Sequence, residues 1–547
     1  MILGDDSVKK LSIINLDSTK SGDSKICAHA FEELEIPSLL NIMPRFISGK
    51  MMRLKAIDFF VTDIATISHR LDLFDDLLEF KEIYQLMVDI LPIVSSLREM
   101  VNRQEEPYRF IEYLYSVREL RLYTDCITKL YDTLSHFEKK VRSAGLKVFT
   151  KYVKSVFEGE EFQNLKSNLE SMDFSLKPIR SITVGINLNL NGGEEIIADM
   201  GILSINAEHI KSGKSIVEWA QQGIKSEDSS HFIAKIDALN ALTPLESMFK
   251  ESRNIQAKAT LNLSCKKAIN TVLKKTLKNV EFEIFSYVQA NTAFLADLLP
   301  ELIFLIAGVD FITKLRAKNV AVCKPQISDS NDSYIKNLIN PILLTSLKNE
   351  EIQANDVSFN ENGMIHVLTG ANSGGKSVFL QSVGIAQALF QLGLYIPATK
   401  ASLSTIENII VHFPSKSTVQ IDGGRLEQEC KMINESMQEI TEASFVLMDE
   451  TFSSTSAYDA SILAEATLKH LAIVGCKGIF STHIHHLDKA IDKINEDEKT
   501  KVKVDSLLAV TTDGSRTYRI ERGMSEGHSH AKDIAKKYGL LFDFFDD

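Results

Sequence analysis

Long apolar runs are what this chain of 547 residues most clearly lacks. Its most apolar stretch, Leu302 to Val309, has eight residues and follows Pro300 and Glu301. A helix that crosses a membrane needs about 20 apolar residues, so this one predicts a buried helix and no membrane partner. The opening "MILGDDSVKK" has no basic-then-apolar signal pattern. Cysteine is scarce: Cys27, Cys126, Cys265, Cys323, Cys430 and Cys476 are scattered with no CxxC pair. That is the usage of reduced thiols and predicts a cytoplasmic protein, nucleoid-associated if bacterial. A basic excess is also missing. The net charge of −12 rules out a blanket of nucleic-acid-binding surface, so any such contact is made by local patches on an acidic body. No internal repeat and no low-complexity tract is present.

What is there divides unevenly. The length predicts two to four domains, and 44% apolar with 24% charged residues is ordinary for a globular chain. Residues 1–35 give weak signals and form an N-terminal segment. From 36 to 177 the spacing is amphipathic and helical, with very few Gly or Pro breaks. Within it, "SHFEKKVRSAGLKVFTKYVKSVF" (135–157) predicts one helix with Lys140, Lys147, Lys151 and Lys154 on one face. Val141, Val148, Phe149, Tyr152, Val153 and Val156 fall on the other. The lysines read as a solvated stripe or as a face that leans on a phosphate backbone. Residues 178–230 form a β-rich insert, because apolar and polar residues alternate around "NGG" as in a hairpin. Helical spacing returns over 231–330. "CKPQISDSNDSYIKNLINP" (323–341) has the composition of a linker. Over 331–547 short apolar strands alternate with helices, an α/β pattern.

That last region carries the chemistry. "MIHVL" (364–368) predicts a strand and "KSVFLQSVGIAQALFQLG" (376–393) a helix. Between them Gly370, Ala371, Asn372, Ser373, Gly374, Gly375, Lys376 and Ser377 satisfy GxxxxGK[ST]. The glycines let backbone N–H groups converge on phosphate oxygens. Lys376 brings a charge to the outer phosphates, Ser377 a hydroxyl to Mg²⁺, and the helix its positive end. Downstream, "FVLMDE" (445–450) is an apolar strand that ends in two carboxylates. Asp449 is placed for Mg²⁺ and Glu450 for orienting or deprotonating the attacking water. "GIFSTH" (478–483) ends in His483, within reach of a γ-phosphate or that water. Its neighbours His485 and His486, with His528 and His530, have no fitting carboxylate and make a weak metal pattern.

These residues resemble the MutS family of DNA mismatch repair ATPases. "TGANSGGKS" is similar to its phosphate loop, "FVLMDETFSSTSAYDA" to its second nucleotide motif and following loop, and "FSTHIHHL" to its histidine strand. "GLYIPA" (393–398), "TDIATISHRLDLFDDLL" (62–78) and "LIAGVDFITKLRAKNVAVCKPQI" (305–327) extend the resemblance over most of the chain. It implies a helical core and lever with a small clamp-like insert, followed by an ABC-type P-loop ATPase domain. It also implies ATP and Mg²⁺, catalysis by Lys376, Glu450 and His483, and a homodimer joined through the ATPase domains, with Asp459 at the dimer face. The family completes each site with a signature loop carrying Ser five residues before a Glu. Counting back from Glu429 finds Gly424, so Gly423 and Gly424 offer backbone N–H groups instead. "TFSST" stands where the family has a glycine-rich loop, and Ile352 where an aromatic stacks on adenine.

No mismatch-reading or connector domain is expected before the helical core, and no appended nuclease-like domain after it. Phe31-Glu32-Glu33 fits a Phe-x-Glu wedge pattern only in three letters. The implied function is a clamp that couples ATP to distorted, branched or mismatched DNA in repair or recombination. Two rivals stay open. One is another ABC-type ATPase, against which the short distance from Lys376 to Gly424 and the lack of heptads count. The other is an ATP-binding switch with little hydrolysis that acts on RNA or ribosomes.

Overall fold

Fully buried strands and the helices between them build the carboxy-terminal part of the computed structural model. The structure describes residues 12–15, 25–40, 55–101, 109–176, 181–190, 196–206, 292–346, 352–370, 374–413, 425–484, 487–512 and 515–523. β6 (Ile365–Gly370), β8 (Asn408–His412), β9 (Ser444–Asp449), β10 (Lys477–Ser481), β11 (Val504–Thr512) and β12 (Ser515–Arg522) form one sheet in the order β12-β11-β6-β10-β9-β8. All neighbours are parallel except β11 with β12. Every residue of β9 and β10 is buried, as in a sheet covered on both faces.

Period-2 alternation decides what each face meets. Val446 and Met448 of β9 join a core with Ile433 of α12 (Arg425–Gln438), Ala464 and Leu468 of α13 (Ala457–Val474) and Ile491 of α14 (Asp488–Glu496). On the other face lies α11 (Lys376–Gln391), buried almost all round. A Cβ placed on its Gly384 would fall 2.7 Å from Leu447 of β9 and 2.6 Å from Leu34, which follows α1 (Lys25–Glu33). Leu34 and the end of α1, in a segment faint in the sequence, are therefore part of this core. Phe31 is buried edge-on to Phe60 at 5.7 Å, which settles it as a core residue.

A second sheet, in the order β3-β7-β4-β5, joins Gln326–Ile327, Lys400–Leu403, Ser333–Leu338 and Asn355–Phe359. β4 lies in the segment whose composition reads as a linker. The expectation fails because Ser333, Ile335 and Leu338 turn inward and pair with β5 and β7, a pattern hidden among polar residues. Lys477, at the start of β10, reaches this sheet: its Nζ donates to Ser333 Oγ at 3.0 Å and to Ser404 Oγ.

The rest of the described residues are mainly helical, with one hairpin. α3 (Ile64–Glu79) begins where Asp63 accepts from Thr66 N at 2.9 Å. α4 (Lys81–Val101), α5 (Arg109–Phe137), α6 (Ala144–Glu158) and α7 (Glu160–Leu176) follow, then the antiparallel pair β1 (Ser181–Leu190) and β2 (Ile196–Asn206). α9 (Leu299–Ala317), after the short α8 (Ala293–Asp297), contains the run Leu302 to Val309, buried as predicted. The predicted single helix over 135–157 is two: α5 ends at Phe137 and α6 starts at Ala144. Asp76 makes the break by accepting from the amides of Arg142 (2.8 Å) and Ser143 (2.8 Å) at the start of α6. Lys140 therefore leaves the lysine face, Val148 is exposed, and Tyr152 is partly exposed while its ring packs edge-on to Phe294 at 5.1 Å.

Two compact units result. One comprises Met1–Leu91, His136–Lys151 and Pro300–Asp547, the other Pro92–Ser135 and Tyr152–Leu299. In the first, Arg70 is 1% exposed and donates to Ile14 O (3.3 Å), Leu392 O (3.3 Å), Asn15 Oδ1 (2.8 Å) and Phe59 O. Burial lowers its pKa to about 10. Gln391, the last residue of α11, donates to Val61 O at 3.0 Å and to Ile406 O at 2.7 Å. α11 is thus held at its far end by buried polar contacts, and its first residue, Lys376, is fixed with it.

Candidate nucleotide site

Parallel pairing puts the ends of three strands side by side. Leu368 of β6 lies opposite Ser481 of β10, and Ser481 opposite Asp449 of β9. The segments that leave these strands therefore meet at one edge, where ligands bind in open α/β sheets. Gly370, at φ +126°, ends β6, and a Cβ there would lie 2.8 Å from Ala509 of β11. Gly375, at φ +91°, opens α11. Both conformations suit glycine and turn the backbone toward the helix end. Gly374 is buried and Ser377 is exposed in the first turn of α11. Ala371, Asn372, Ser373, Gly423 and Gly424 lie outside the described residues.

Lys376 is only 4% exposed. Its Nζ donates to Gly370 O at 2.9 Å and lies 3.4 Å from His483 Nδ1. His483 Nε2 lies 2.7 Å from Glu450 Oε1. With Lys376 charged, Nδ1 is the acceptor and Nε2–H donates to the carboxylate, so the three side chains form one polarised row. Burial lowers the Lys376 pKa, opposed by the negative charges of Glu450 and Asp449. Asp449 is buried, and its Oδ1 has no hydrogen-bond partner among the described residues. A carboxylate oxygen left so is costly unless a cation or donor meets it. With the Ser377 hydroxyl, this donor set fits Mg²⁺.

Asp459 is exposed at the start of α13, where its amide donates to Ser456 Oγ at 3.2 Å and its carboxylate accepts from the same hydroxyl at 2.7 Å. This is a reciprocal helix cap. Tyr458 and Ile462, one turn apart beside it, are 75% and 51% exposed. No group of three or more potential metal-ligating side chains occurs among the described residues, and His485, His486, His528 and His530 lie outside them. Ile352 is half-buried.

Nothing in the sequence singles out Tyr518. Thr517 and Tyr518 bulge from β12, because Val510 pairs with Arg519 and Thr511 with Arg516. Tyr518 has φ +57°, is 49% exposed, and its Cδ1 lies 3.3 Å from where a Cβ on Gly375 would sit. Asn355 holds the bulge, donating to Tyr518 O (3.0 Å) and accepting from Ile520 N (2.8 Å). An aromatic ring thus leans on the phosphate loop, although the sequence offers none at position 352.

A model of MutS domain V matches residues 366–540, and a model of the MutS2 N-terminal domain matches residues 62–318. The chain belongs to the MutS family. It is similar to the DNA mismatch repair protein MutS of Leuconostoc mesenteroides subsp. mesenteroides, 26% identical over 299 residues, or 54% of this chain and 33% of that one. The MutS of Lactobacillus delbrueckii subsp. bulgaricus is 30% identical over 214 residues, 38% of this chain and 25% of its own. For Persephonella marina MutS the figures are 28% over 270 residues, 48% and 30%. The chain thus spans about a third or less of the length of these MutS relatives. The matched domain V takes in β6, β9 and β10 and therefore Lys376, Asp449, Glu450 and His483. Among the described residues no helix is long and apolar enough to cross a membrane.

Proposed function

We propose that this MutS-family chain is an ATPase whose nucleotide cycle drives a dimeric clamp on distorted, branched or mismatched DNA. The observation that carries the reading is the row Lys376–His483–Glu450 with the buried Asp449, whose Oδ1 has no partner among the described residues. Gly370, Ala371, Asn372, Ser373, Gly374 and Gly375 wrap the phosphates with backbone N–H groups, and Lys376 sits over the outer ones. Tyr518 stacks on the base, in place of the aromatic absent at Ile352. Ser377 and Asp449 would hold Mg²⁺, which supplies charge neutralisation to the phosphates when bound. Glu450 accepts the proton of the attacking water, and His483 holds that carboxylate aimed while answering to the γ-phosphate. The reaction cleaves the bond between the β,γ-bridging oxygen and the γ-phosphorus, and the water oxygen replaces it.

Relatives named for DNA mismatch repair support DNA as the partner. The exposed Tyr458 and Ile462, beside Asp459 and close in sequence to Glu450, support a second copy against this face, with Gly423 and Gly424 donating to its nucleotide. The helical core, lever and clamp-like insert would enclose the nucleic acid, and ATP would shift the clamp between open and closed populations.

Two measurements test this. Steady-state ATP turnover is expected to fall at least about 100-fold in Glu450→Ala; equal turnover in both proteins sinks the catalytic assignment. Binding is then titrated with and without ATP–Mg²⁺ against perfect, mismatched and four-way-junction DNA and structured RNA at two salt concentrations. A branched or mismatched DNA that wins, with ATP-dependent affinity, is the expected result. Binding to RNA alone would replace DNA as the partner.

A further inference from the structure

Glu429, in the second turn of α12, stands outside the row formed by Lys376, His483 and Glu450. Its Oε1 accepts from the backbone N–H of Phe452 at 2.8 Å and its Oε2 from Ser454 Oγ at 2.8 Å. His412 Nε2, at the end of β8, lies 3.5 Å from Oε1. Burial raises the Glu429 pKa, but these donors, His412 foremost, outweigh it and hold the carboxylate below its ordinary range. Phe452 and Ser454 belong to the loop that leaves Glu450.

That loop is one the backbone resists. Glu450 has φ +47° and Phe452 φ +65°. Neither is glycine, and side chains in this left-handed region cost about 1–3 kcal/mol each when strained. Such a conformation persists only if its surroundings over-determine it. The Phe452 ring is 2% exposed in the core with Met448 and Ala460, which anchors the side chain. Ser481 O accepts from Glu450 N at 3.0 Å, which anchors the start of the loop. Between these anchors, Glu429 grips the Phe452 amide and the Ser454 hydroxyl.

We infer that Glu429 is a positioning residue for ATP hydrolysis: by holding Phe452 N–H and Ser454 it keeps the strained loop, and so the Glu450 carboxylate, aimed at His483 and the attacking water. The inference rests on the ATPase function proposed for this site. It separates Glu429 from nucleotide binding, which Lys376 and the phosphate loop perform.

The test is steady-state ATP turnover by the full chain, with kcat and KM resolved, for Glu429→Ala, Glu429→Gln and Ser454→Ala. Glutamine keeps the acceptor for Phe452 N–H and donates its amide to Ser454 Oγ, so it preserves the geometry without the charge. Misplacing a catalytic group by about 1 Å costs about 100-fold, so Glu429→Ala is expected to lower kcat about 30- to 100-fold with KM for ATP within about twofold. Glu429→Gln is expected within about threefold of the parent, and Ser454→Ala, which breaks one of two contacts at an exposed hydroxyl, about 3- to 10-fold lower. The inference is overturned if Glu429→Ala turns over like the parent, if alanine and glutamine lose equally, or if KM rises as much as kcat falls. Should Glu429→Ala not fold, an unchanged kcat in Ser454→Ala overturns it alone. A parent whose turnover Glu450→Ala leaves intact instead brings down the ATPase reading, a distinct result.

Discussion

Lys477 is a cation placed where a cation is disfavoured. It is 3% exposed at the start of β10, and its Nζ meets two serine hydroxyls, Ser333 and Ser404. Burial lowers its pKa from 10.5 to about 8, with a smaller opposing pull from Asp332. A folded value below the unfolded one means that folding favours the neutral amine. The penalty is full below about pH 8, where both states hold the proton, and fades as pH rises toward 10.5, where neither does. The shift from 10.5 to about 8 corresponds to about 3 kcal/mol at pH 7 and roughly half of that at pH 9.5. Lys477→Met removes the penalty and forfeits two hydrogen bonds of about 1 kcal/mol each, while Ser333 Oγ and Ser404 Oγ, 3.5 Å apart, can pair with each other. The variant is therefore expected to be more stable at pH 7 by about 1–2 kcal/mol, and no more stable than the parent at pH 9.5. Far-UV circular dichroism melts at both pH values measure this, with about 2–4 °C expected per kcal/mol in a domain of this kind. A variant that loses stability equally at both pH values would refute the reasoning, since Lys477 would then be acting as a neutral packing group.

Other expectations rest on single contacts. Tyr518→Ala is expected to weaken ATP binding about 5- to 100-fold while kcat at saturation holds, because base stacking on an aromatic is worth about 1–3 kcal/mol; a dissociation constant within twofold of the parent removes Tyr518 from the base pocket. Gly375→Ala puts a Cβ at φ +91° and 3.3 Å from Tyr518 Cδ1. It should abolish most nucleotide binding with little change in melting, and normal binding would mean that this glycine does not shape the loop. Asp76→Ala strips the acceptor from the Arg142 and Ser143 amides, with an expected loss of about 1–3 kcal/mol in chemical denaturation. An unchanged midpoint would show that water replaces the carboxylate there.

The chain order alone determines the local chemistry. "MIHVL", the glycine-rich turn and "KSVFLQSVG" name a strand, a phosphate loop and a helix, and the structure has β6 and α11 at those places. "FVLMDE" and "GIFSTH" likewise become β9 and β10, and "NGG" separates β1 from β2. These are legible because hydrophobic runs, glycine and periodicity act within a few residues of one another. What the chain order leaves open is everything that pairing and burial decide over long separations. Ser333–Leu338 is polar enough to pass for a linker, and becomes a strand only because β5 and β7 flank it. Lys140 leaves its helical row because Asp76, 66 residues before Arg142, terminates the run. Lys376 and His483 come together across 107 residues through the parallel register of β6 with β10, and Tyr518 leans on Gly375 through a bulge that β11 imposes. Glu429 is marked in the sequence by its spacing from Gly424, but its grip on Phe452 N–H and Ser454 exists only where the loop after Glu450 folds back against α12. Local propensity fixes which pieces exist, and the entropy of closing long loops against burial and strand pairing fixes which of them meet.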